Sequence, residues 1–175
     1  MFYRVTQRSD VAVVTLKEAK GQLNIVDGED EGVDDSHIQL LIDASVELAE
    51  SYTKRLFTPS TVELSVSGQR SFFLPCGNVE SVTSAVVTGD NSDAPFTFNP
   101  ISQIFTFGDN FDFNKDVTIT YDAGYTVLPL VAKMGVMMLL SSLDENRVDT
   151  VTGLTAADIS LNSTAILNSI KLGYF

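Results

Sequence analysis

The 175-residue sequence contains one cysteine, Cys76, and one histidine, His37. A single cysteine excludes an intrachain disulfide and fits a reducing compartment, so we expect synthesis in the cytosol. Cys76 follows Pro75 in a predicted turn with no basic neighbour in sequence, which indicates a structural thiol. His37 stands beside Asp34 and Asp35 at the start of a predicted helix, where a surface histidine is expected and a general base is not.

Basic residues are scarce: 11 Lys and Arg stand against 23 Asp and Glu, and the formal net charge is −12. Because proteins hold duplex DNA by neutralising its phosphates, this balance and the lack of any Lys/Arg-rich run argue against DNA wrapping. The stretch from Ser71 to Asn114 has no Lys or Arg at all. It carries five acidic residues, which are Glu80, Asp90, Asp93, Asp109 and Asp112.

Two interpretations of this acidic stretch stay open. It is either a solvated β segment with acidic turns or a surface that faces a polyanion, such as the wall of a DNA conduit. Electrostatic screening acts over about 8 Å at physiological salt, so such a wall would repel DNA only at short range.

Long hydrophobic runs are also missing. No segment reaches the roughly 20 apolar residues of a membrane span, and the first residues lack the apolar run of a secretory signal. The longest apolar-rich stretch, Leu128 to Leu143, is interrupted by Pro129 and Lys133. We therefore expect a buried core helix there and no membrane association. Apolar residues make up 44% of the chain, which is enough for one packed domain with an insertion.

Catalytic and metal-binding motifs are absent as well. The sequence has no phosphate-binding GxxxxGK[ST] loop, no GxGxxG and no HExxH. The acidic segment from Asp27 imitates the first half of an EF-hand, but the twelfth position, which should supply a bidentate Glu, is Ile38. No calcium site, cofactor or enzymatic activity is expected, although weak cation binding by this loop stays open.

Three helices are predicted from apolar spacing and capping. Thr15 and Glu18 form a capping box that begins a helix over Leu16–Leu23. Ser36 and Gln39 are placed to cap a second helix that ends near Leu56. The apolar stripe of this second helix comprises Ile38, Leu41, Ile42, Ser45, Leu48, Ala49 and Tyr52. A third helix, Pro129–Glu145, is apolar nearly all round and is expected to be the most buried.

Between the second and third helices the apolar period changes to two, with about six short strands separated by turn clusters. The predicted fold class is α+β: a helical bundle with an inserted small antiparallel β domain, either a barrel or a sandwich. Residues 3–6 and 11–14 are predicted as short strands or an extended arm. The division is 1–58 for the arm and bundle helices, 59–126 for the β insertion, 127–147 for a long core helix, and 148–175 for a docking tail.

The order of these segments resembles the head–tail connector proteins of tailed bacteriophages, also called head-completion or adaptor proteins. The resemblance covers about residues 14–147. The segments that carry it are 14–25 (VTLKEAKGQLNI), 34–56 (DDSHIQLLIDASVELAESYTKRL), 74–82 (LPCGNVESV), 117–125 (VTITYDAGY) and 144–147 (DENR). The family pattern usually has a proline before the valine of 74–82, where this chain has Asn78, so the local turn is expected to differ.

The resemblance implies a structural virion protein made in the host cytoplasm and located at the head–tail interface. It implies a ring of on the order of a dozen copies beneath the portal protein, through which DNA passes without specific binding. The ring would extend the DNA channel and offer an attachment surface to the tail or to a stopper (head-closure) protein. The five acidic residues would then be candidates for the channel surface.

The last residues, IKLGYF, place large apolar groups where chains are usually polar, so the tail either packs on its own core or docks on a partner. With the resemblance, the portal is the expected partner. The candidate portal-binding residues are Leu161, Ile166, Leu167, Ile170, Leu172, Tyr174 and Phe175. Two other function classes stay open: a small hydrolase that uses buried carboxylates, and a carbohydrate- or cation-binding β module.

Overall fold

The computed structural model describes residues 2–25, 34–112, 114–145 and 161–173, except for the side chains of Leu161 and Asn162. The chain divides into two compact units. The sheet unit comprises Met1–Val11 and Lys54–Thr126, and the helical unit comprises Ala12–Thr53 and Val127–Phe175. The α+β fold class is confirmed, and helices from both sides of the strand region share one unit.

The described residues contain seven strands and four helices. The strands are β1 (Phe2–Arg8), β2 (Ser60–Val66), β3 (Ser71–Phe73), β4 (Val79–Val87), β5 (Phe96–Asn99), β6 (Ile104–Phe107) and β7 (Val117–Ala123). The helices are α1 (Leu16–Gln22), α2 (Asp35–Thr53), α3 (Leu130–Glu145) and α4 (Leu161–Asn168). The six strands predicted between the second and third helices are therefore confirmed.

The sheet unit contains two antiparallel sheets, with strand orders β1-β2-β7-β4 and β3-β6-β5. Alternate residues of β2 and β7 are buried, which is the period of two that the sequence shows. In the register, Val62 faces Tyr121 and Leu64 faces Ile119, and all four side chains are fully buried. These residues form the apolar core together with aromatic side chains of the second sheet, where Phe105 stacks on Phe96 at 5.1 Å between ring centroids.

Strand β1 is an edge strand whose seven residues are all exposed. The register pairs Tyr3 with Leu64 and Val5 with Val62, so both side chains lie on the core face of the sheet. Residues 1–58 were predicted to form the arm and the bundle helices, whereas pairing with β2 places residues 2–8 in the sheet unit. No strand forms over residues 11–14.

The turn at Asn78 differs from a proline turn, as expected from the departure at that position. Asn78 has a φ of 48°, which proline cannot adopt because its ring fixes φ near about −65°. The Asn78 side-chain amide donates a hydrogen bond to the carbonyl oxygen of Gly124. Gly124 in turn has a φ of 114° and lies so close to the Thr58 carbonyl that a Cβ there would collide with it. The asparagine thus joins two chain segments of the sheet unit.

Helix α1 begins with the predicted capping box. The Thr15 hydroxyl accepts from the Glu18 backbone N–H, and the Glu18 carboxylate accepts from the Thr15 backbone N–H at 2.9 Å. Glu18 also binds the Lys133 ammonium group at 2.6 Å, which ties α1 to α3. Between α1 and α2, Lys20 pairs with Asp35 at 2.8 Å. Charged groups therefore connect the first three helices of the unit.

The boundaries of α2 correct two predictions. Asp34, and not Ser36, caps the helix, because the Asp34 carboxylate accepts from the backbone N–H and hydroxyl of Ser36 at 2.9 and 2.6 Å. The helix ends at Thr53, before the expected Leu56, since Lys54 has a φ of 58° and leaves the helical conformation.

The buried face of α2 is rotated relative to the predicted stripe. Ile38, Ile42, Ser45 and Ala49 are buried as predicted, but Leu48 is 40% exposed. The other buried residues are Val46, Glu50 and Thr53, none of which belongs to the predicted stripe. A wide apolar arc does not tell which part of it the rest of the fold will cover.

Helix α3 contacts α1, α2 and α4, as expected of the most buried helix, but it is not covered on every side. Its Ala132, Gly135, Val136, Leu139 and Leu140 are buried, and this face packs on α2 and α4. On the other side of the helix, large apolar side chains are exposed: Leu130 by 82%, Met134 by 59% and Val131 by 44%. The helix is apolar nearly all round, but only one face lies in the core of the helical unit.

Candidate interaction surfaces

The C-terminal segment packs on its own helical unit, and one residue of the predicted portal-binding set is fully buried there. Leu167 of α4 is 1% exposed and lies against α3, where a Cβ added at Gly135 would come within 2.5 Å of the Leu167 Cδ2 atom. Glycine at residue 135 therefore provides the space that Leu167 fills. In this conformation Leu167 belongs to the core of the helical unit.

The chain after α4 is held against the end of α2. The Leu172 backbone N–H donates to the Thr53 carbonyl oxygen at 2.9 Å, and the Tyr52 hydroxyl bonds the Asn168 side chain at 2.6 Å. The Lys171 ammonium group lies 4.4 Å from the centre of the Tyr52 ring. These contacts fix the position of residues 168–172 on the helical unit.

The other candidate portal-binding residues are either half-buried or outside the described residues. Ile166, Ile170 and Leu172 are half-buried, so each keeps part of its apolar side chain accessible. Tyr174 and Phe175 and the side chain of Leu161 lie outside the described residues. Residues 166–172 thus form a small, partly exposed apolar segment on an ordered support.

All five predicted acidic residues are exposed, but they do not form an unbroken negative surface. Asp90 pairs with Lys115 at 3.7 Å, and Asp109 pairs with Arg70. The two bases stand at either end of the stretch without Lys or Arg, and folding brings them back onto its turns. The stretch that lacks Lys and Arg in the sequence therefore has basic side chains next to it in the folded protein.

Several of these acidic side chains accept hydrogen bonds from neighbouring residues of their own turns. The Ser92 hydroxyl and backbone N–H donate to the Asp90 carboxylate and hold its pKa below the usual value. Asp112 accepts from the backbone and side chain of Asn114. Glu80 lines an open groove of about 430 Å³ that it shares with Arg8 and Asp122. This groove is polar and basic as well as acidic.

Acid–base chemistry has little support among the described side chains. The carboxyl groups whose pKa departs from the usual value, Glu18, Asp34 and Asp90, are all shifted downward. Lys133 and the Thr15 backbone N–H hydrogen-bond the Glu18 carboxylate and lower its pKa to about 2. A general acid needs the opposite shift. Burial raises the pKa of Tyr121, whose hydroxyl bonds the Pro75 carbonyl oxygen at 3.2 Å.

The single histidine and the single cysteine occupy the environments predicted from the sequence. His37 is exposed in the first turn of α2, and Cys76 is buried in the core of the sheet unit. Within the described parts of the chain, no group of three His, Cys, Asp or Glu side chains is arranged to hold a metal ion. None of the described helices combines the length and apolarity needed to cross a membrane.

Large apolar side chains are exposed on two helices of the helical unit. These are Leu40 and Leu48 on α2, and Leu130, Val131 and Met134 on α3. Leu48 was predicted to belong to the buried stripe and the α3 residues to a buried core helix, whereas Leu40 lies outside the predicted stripe. Exposure of neighbouring large apolar side chains is typical of interaction surfaces.

Comparison with solved structures shows that the fold is found in gene transfer agent (GTA) particles. A chain in the neck of an empty GTA particle, computed with C6 symmetry, has a TM-score of 0.78 at 17% identity. A chain in the virion of the native particle has a TM-score of 0.77 at 16% identity. A chain in the native neck, computed with C12 symmetry, has a TM-score of 0.75 at 14% identity.

Each similarity covers 100% of this chain and 97% of the other, so both units take part. No protein-family model matches the sequence, and no curated protein matches it. At these identities the similarity establishes a shared fold along the whole length of the chain.

Proposed function

We propose that this chain is a structural neck component of a phage-like particle: a head–tail adaptor that forms a ring beneath the portal. The observation that carries the proposal is the full-length correspondence of its fold with chains from GTA particles, two of them from the neck. The resemblance of its sequence segments to phage connectors agrees with this assignment. The proposal gives the protein no catalytic role.

The ring would contain on the order of a dozen copies, arranged head to tail around the DNA channel. The C6 and C12 symmetries of the structurally similar assemblies support a cyclic arrangement. The exposed apolar side chains of α2 and α3 supply surfaces that such contacts need. The ring would extend the portal channel and present the attachment surface for the tail or a stopper protein.

The tail segment would dock on the portal. Ile166, Ile170 and Leu172 are the accessible apolar groups of the described part, and Leu161, Tyr174 and Phe175 complete the candidate set. Leu167 is already in the core, so its contribution would be to hold the segment in place. Docking of a pre-ordered segment costs less conformational entropy than ordering a free tail.

The exposed acids would face the channel, where they would keep DNA from adhering to the wall. Glu80, Asp93 and Asp112 are the candidates outside the ion pairs with Lys115 and Arg70. Like-charge repulsion at short range lets a polyanion slide past without binding. DNA would thus be cargo in transit and not a ligand.

Particle assembly tests the proposed function. Loss of the gene is expected to give heads that package DNA but carry no tail, and supplying the chain in trans is expected to restore tailed particles. Electron microscopy of purified particles distinguishes the two forms. Normal tailed, infectious or gene-transferring particles without the chain would contradict a neck role.

A hydrolase is not favoured by the geometry. The resolved carboxyl pKa shifts are downward, and the groove beside Glu80 is open and contains Arg8. No specific observation favours the carbohydrate- or cation-binding module either.

A further inference from the structure

Helix α2 carries a second apolar stripe that faces away from the core of the helical unit. Leu40 is 64% exposed and Leu48 is 40% exposed, and Ala44 lies between them at helical spacing. We call these three residues the α2 outer stripe. At about 100° per residue, Leu40 lies opposite the buried Ile38, Ile42 and Ala49. The stripe continues through the half-buried Ala44 to Leu48 on the flank of the helix.

Helix α3 has the same arrangement. Leu130, Val131 and Met134 are exposed and occupy one turn of the helix, and we call them the α3 outer stripe. The buried Ala132, Val136 and the residues that follow at helical spacing lie on the other side.

The two outer stripes are different patches of one helical unit. Helices α2 and α3 pack on one another, and each uses its buried face in the core of that unit. Each outer stripe therefore lies on a part of its own helix that the core does not cover. Two different patches on one body are the requirement for a head-to-tail contact between identical copies.

The charges around the stripes differ as well. The α2 outer stripe is flanked by Asp43 and Glu47, both exposed. Helix α3 has no acidic residue in its first turn, and its Lys133 is paired with Glu18. A contact between two α2 outer stripes would bring acidic flanks together, whereas a contact between α2 and α3 stripes avoids this repulsion.

We propose that the ring contact is formed by the α3 outer stripe of one copy packed on the α2 outer stripe of the next copy. The inference rests on the proposed function and names the surfaces through which the ring closes. The partner is a second copy of this chain, because both stripes are apolar and the α3 stripe can meet the acid-flanked α2 stripe without the repulsion that two α2 stripes would suffer. Each copy uses both stripes once, so the contact propagates around the ring.

Cysteine cross-linking of the full-length chain tests this contact and captures even weak association. Leu48→Cys and Met134→Cys place one thiol in each stripe, at exposed positions whose replacement leaves the core intact. The double variant, treated with a short bismaleimide over a range of chain concentrations, is expected to give a ladder of dimers, trimers and larger species. A one-to-one mixture of the two single variants is expected to stop at dimers.

Two controls define the background. Lys17→Cys combined with Gln39→Cys places thiols at exposed positions on α1 and α2 outside the stripes and is expected to give no ladder. The native chain, with its single buried Cys76, reports any reaction of that thiol. Each single variant alone is expected to cross-link no more than these controls.

Two results would overturn the proposal. One is a double variant that cross-links no more than the control pair. The other is strong dimer formation by Met134→Cys alone, which would show a symmetric contact between α3 stripes. Either result leaves the neck role standing if the native chain still restores tailed particles, so the two proposals fail separately.

Discussion

Leu167 of α4 occupies the space above Gly135 of α3, where a Cβ would lie 2.5 Å from its Cδ2 atom and 2.9 Å from its Cγ atom. The glycine lets the two helices approach, and the leucine closes the gap. This pair therefore contributes to the packing of α4 on α3.

Gly135→Ala is therefore expected to lower the free energy of unfolding by about 1–3 kcal/mol, the usual cost of overpacking a core. Chemical denaturation of the full-length chain measures the change. Gly21→Ala in α1 is the matched control, because nothing lies within 4 Å of a Cβ there. It should be neutral or stabilise the protein by about 0.5–1 kcal/mol. A fully additive effect of Gly135→Ala and Leu167→Ala would show that the two residues do not interact.

Gly124→Ala is expected to destabilise the sheet unit by about 3 kcal/mol or more, because backbone strain and a collision with the Thr58 carbonyl act together. Gly89→Ala isolates the strain, since Gly89 has a similar φ of 112° with open space around it. Gly89→Ala should lower the free energy of unfolding by about 1–3 kcal/mol. Thermal unfolding of the two variants compares them directly, and equal losses would exclude a steric role for Thr58.

The pair of Glu18 and Lys133 predicts a loss of stability in acid. The folded-state pKa of Glu18 is lowered from 4.5 to about 2, so its contribution is complete above about pH 4.5 and is lost as the pH falls toward 2. Because the Glu18 side chain is 40% exposed, screening limits the contribution to about 1 kcal/mol. The free energy of unfolding, measured between neutral pH and pH 3, should fall less steeply with decreasing pH in Glu18→Gln than in the native protein. Lys133→Met should reproduce most of the loss, and an unchanged slope in both variants would contradict the assignment.

Ile170→Asp is expected to weaken binding to the portal at least about tenfold, because a charge replaces a half-buried apolar group in the proposed docking segment. Ala165→Asp adds the same charge at an exposed position of α4 and should bind normally. Removal of Tyr174 and Phe175 alone should also weaken binding while α4 stays intact. Co-sedimentation with purified portal rings provides the measurement, and normal binding by both altered chains would end the docking role of the tail.

Charge reversal at Asp93 and Asp112 tests the proposed channel surface. The double lysine variant is expected to slow DNA release from assembled particles, with the strongest effect at low salt, because lysines bind phosphates. The double asparagine variant removes the negative charge without adding attraction and should have a smaller effect. DNA release followed by a fluorescent dye distinguishes the variants. Release at the native rate from lysine-bearing particles would place these residues away from the channel.

The elements that depend on neighbours in sequence could be predicted. The Thr15–Glu18 capping box and the alternation of Val62 and Leu64 are local patterns, and the structure confirms both. Asp34 was missed as the cap of α2 because Ser36 fits the same rule two residues later. Local rules identify the type of element more reliably than its first residue.

The features that depend on distant segments could not be predicted. Pairing of β1 with β2 joins residues more than fifty positions apart, and nothing in residues 2–8 specifies that partner. The outward position of Leu130 and Met134 follows from which face α2 and α4 cover, and a helix that is apolar all round does not reveal that choice. The ion pairs of Asp90 and Asp109 likewise arise only when the chain folds back.

In the sheet unit, Arg8 pairs with Ser60 and Ser60 pairs with Ala123, so three strand ends meet side by side. These ends belong to the three stretches of chain that run between the two units. The register of these strands thus sets the spacing of the three connections. Insertions or charge changes in the loops at the opposite ends of the strands should leave that spacing unchanged.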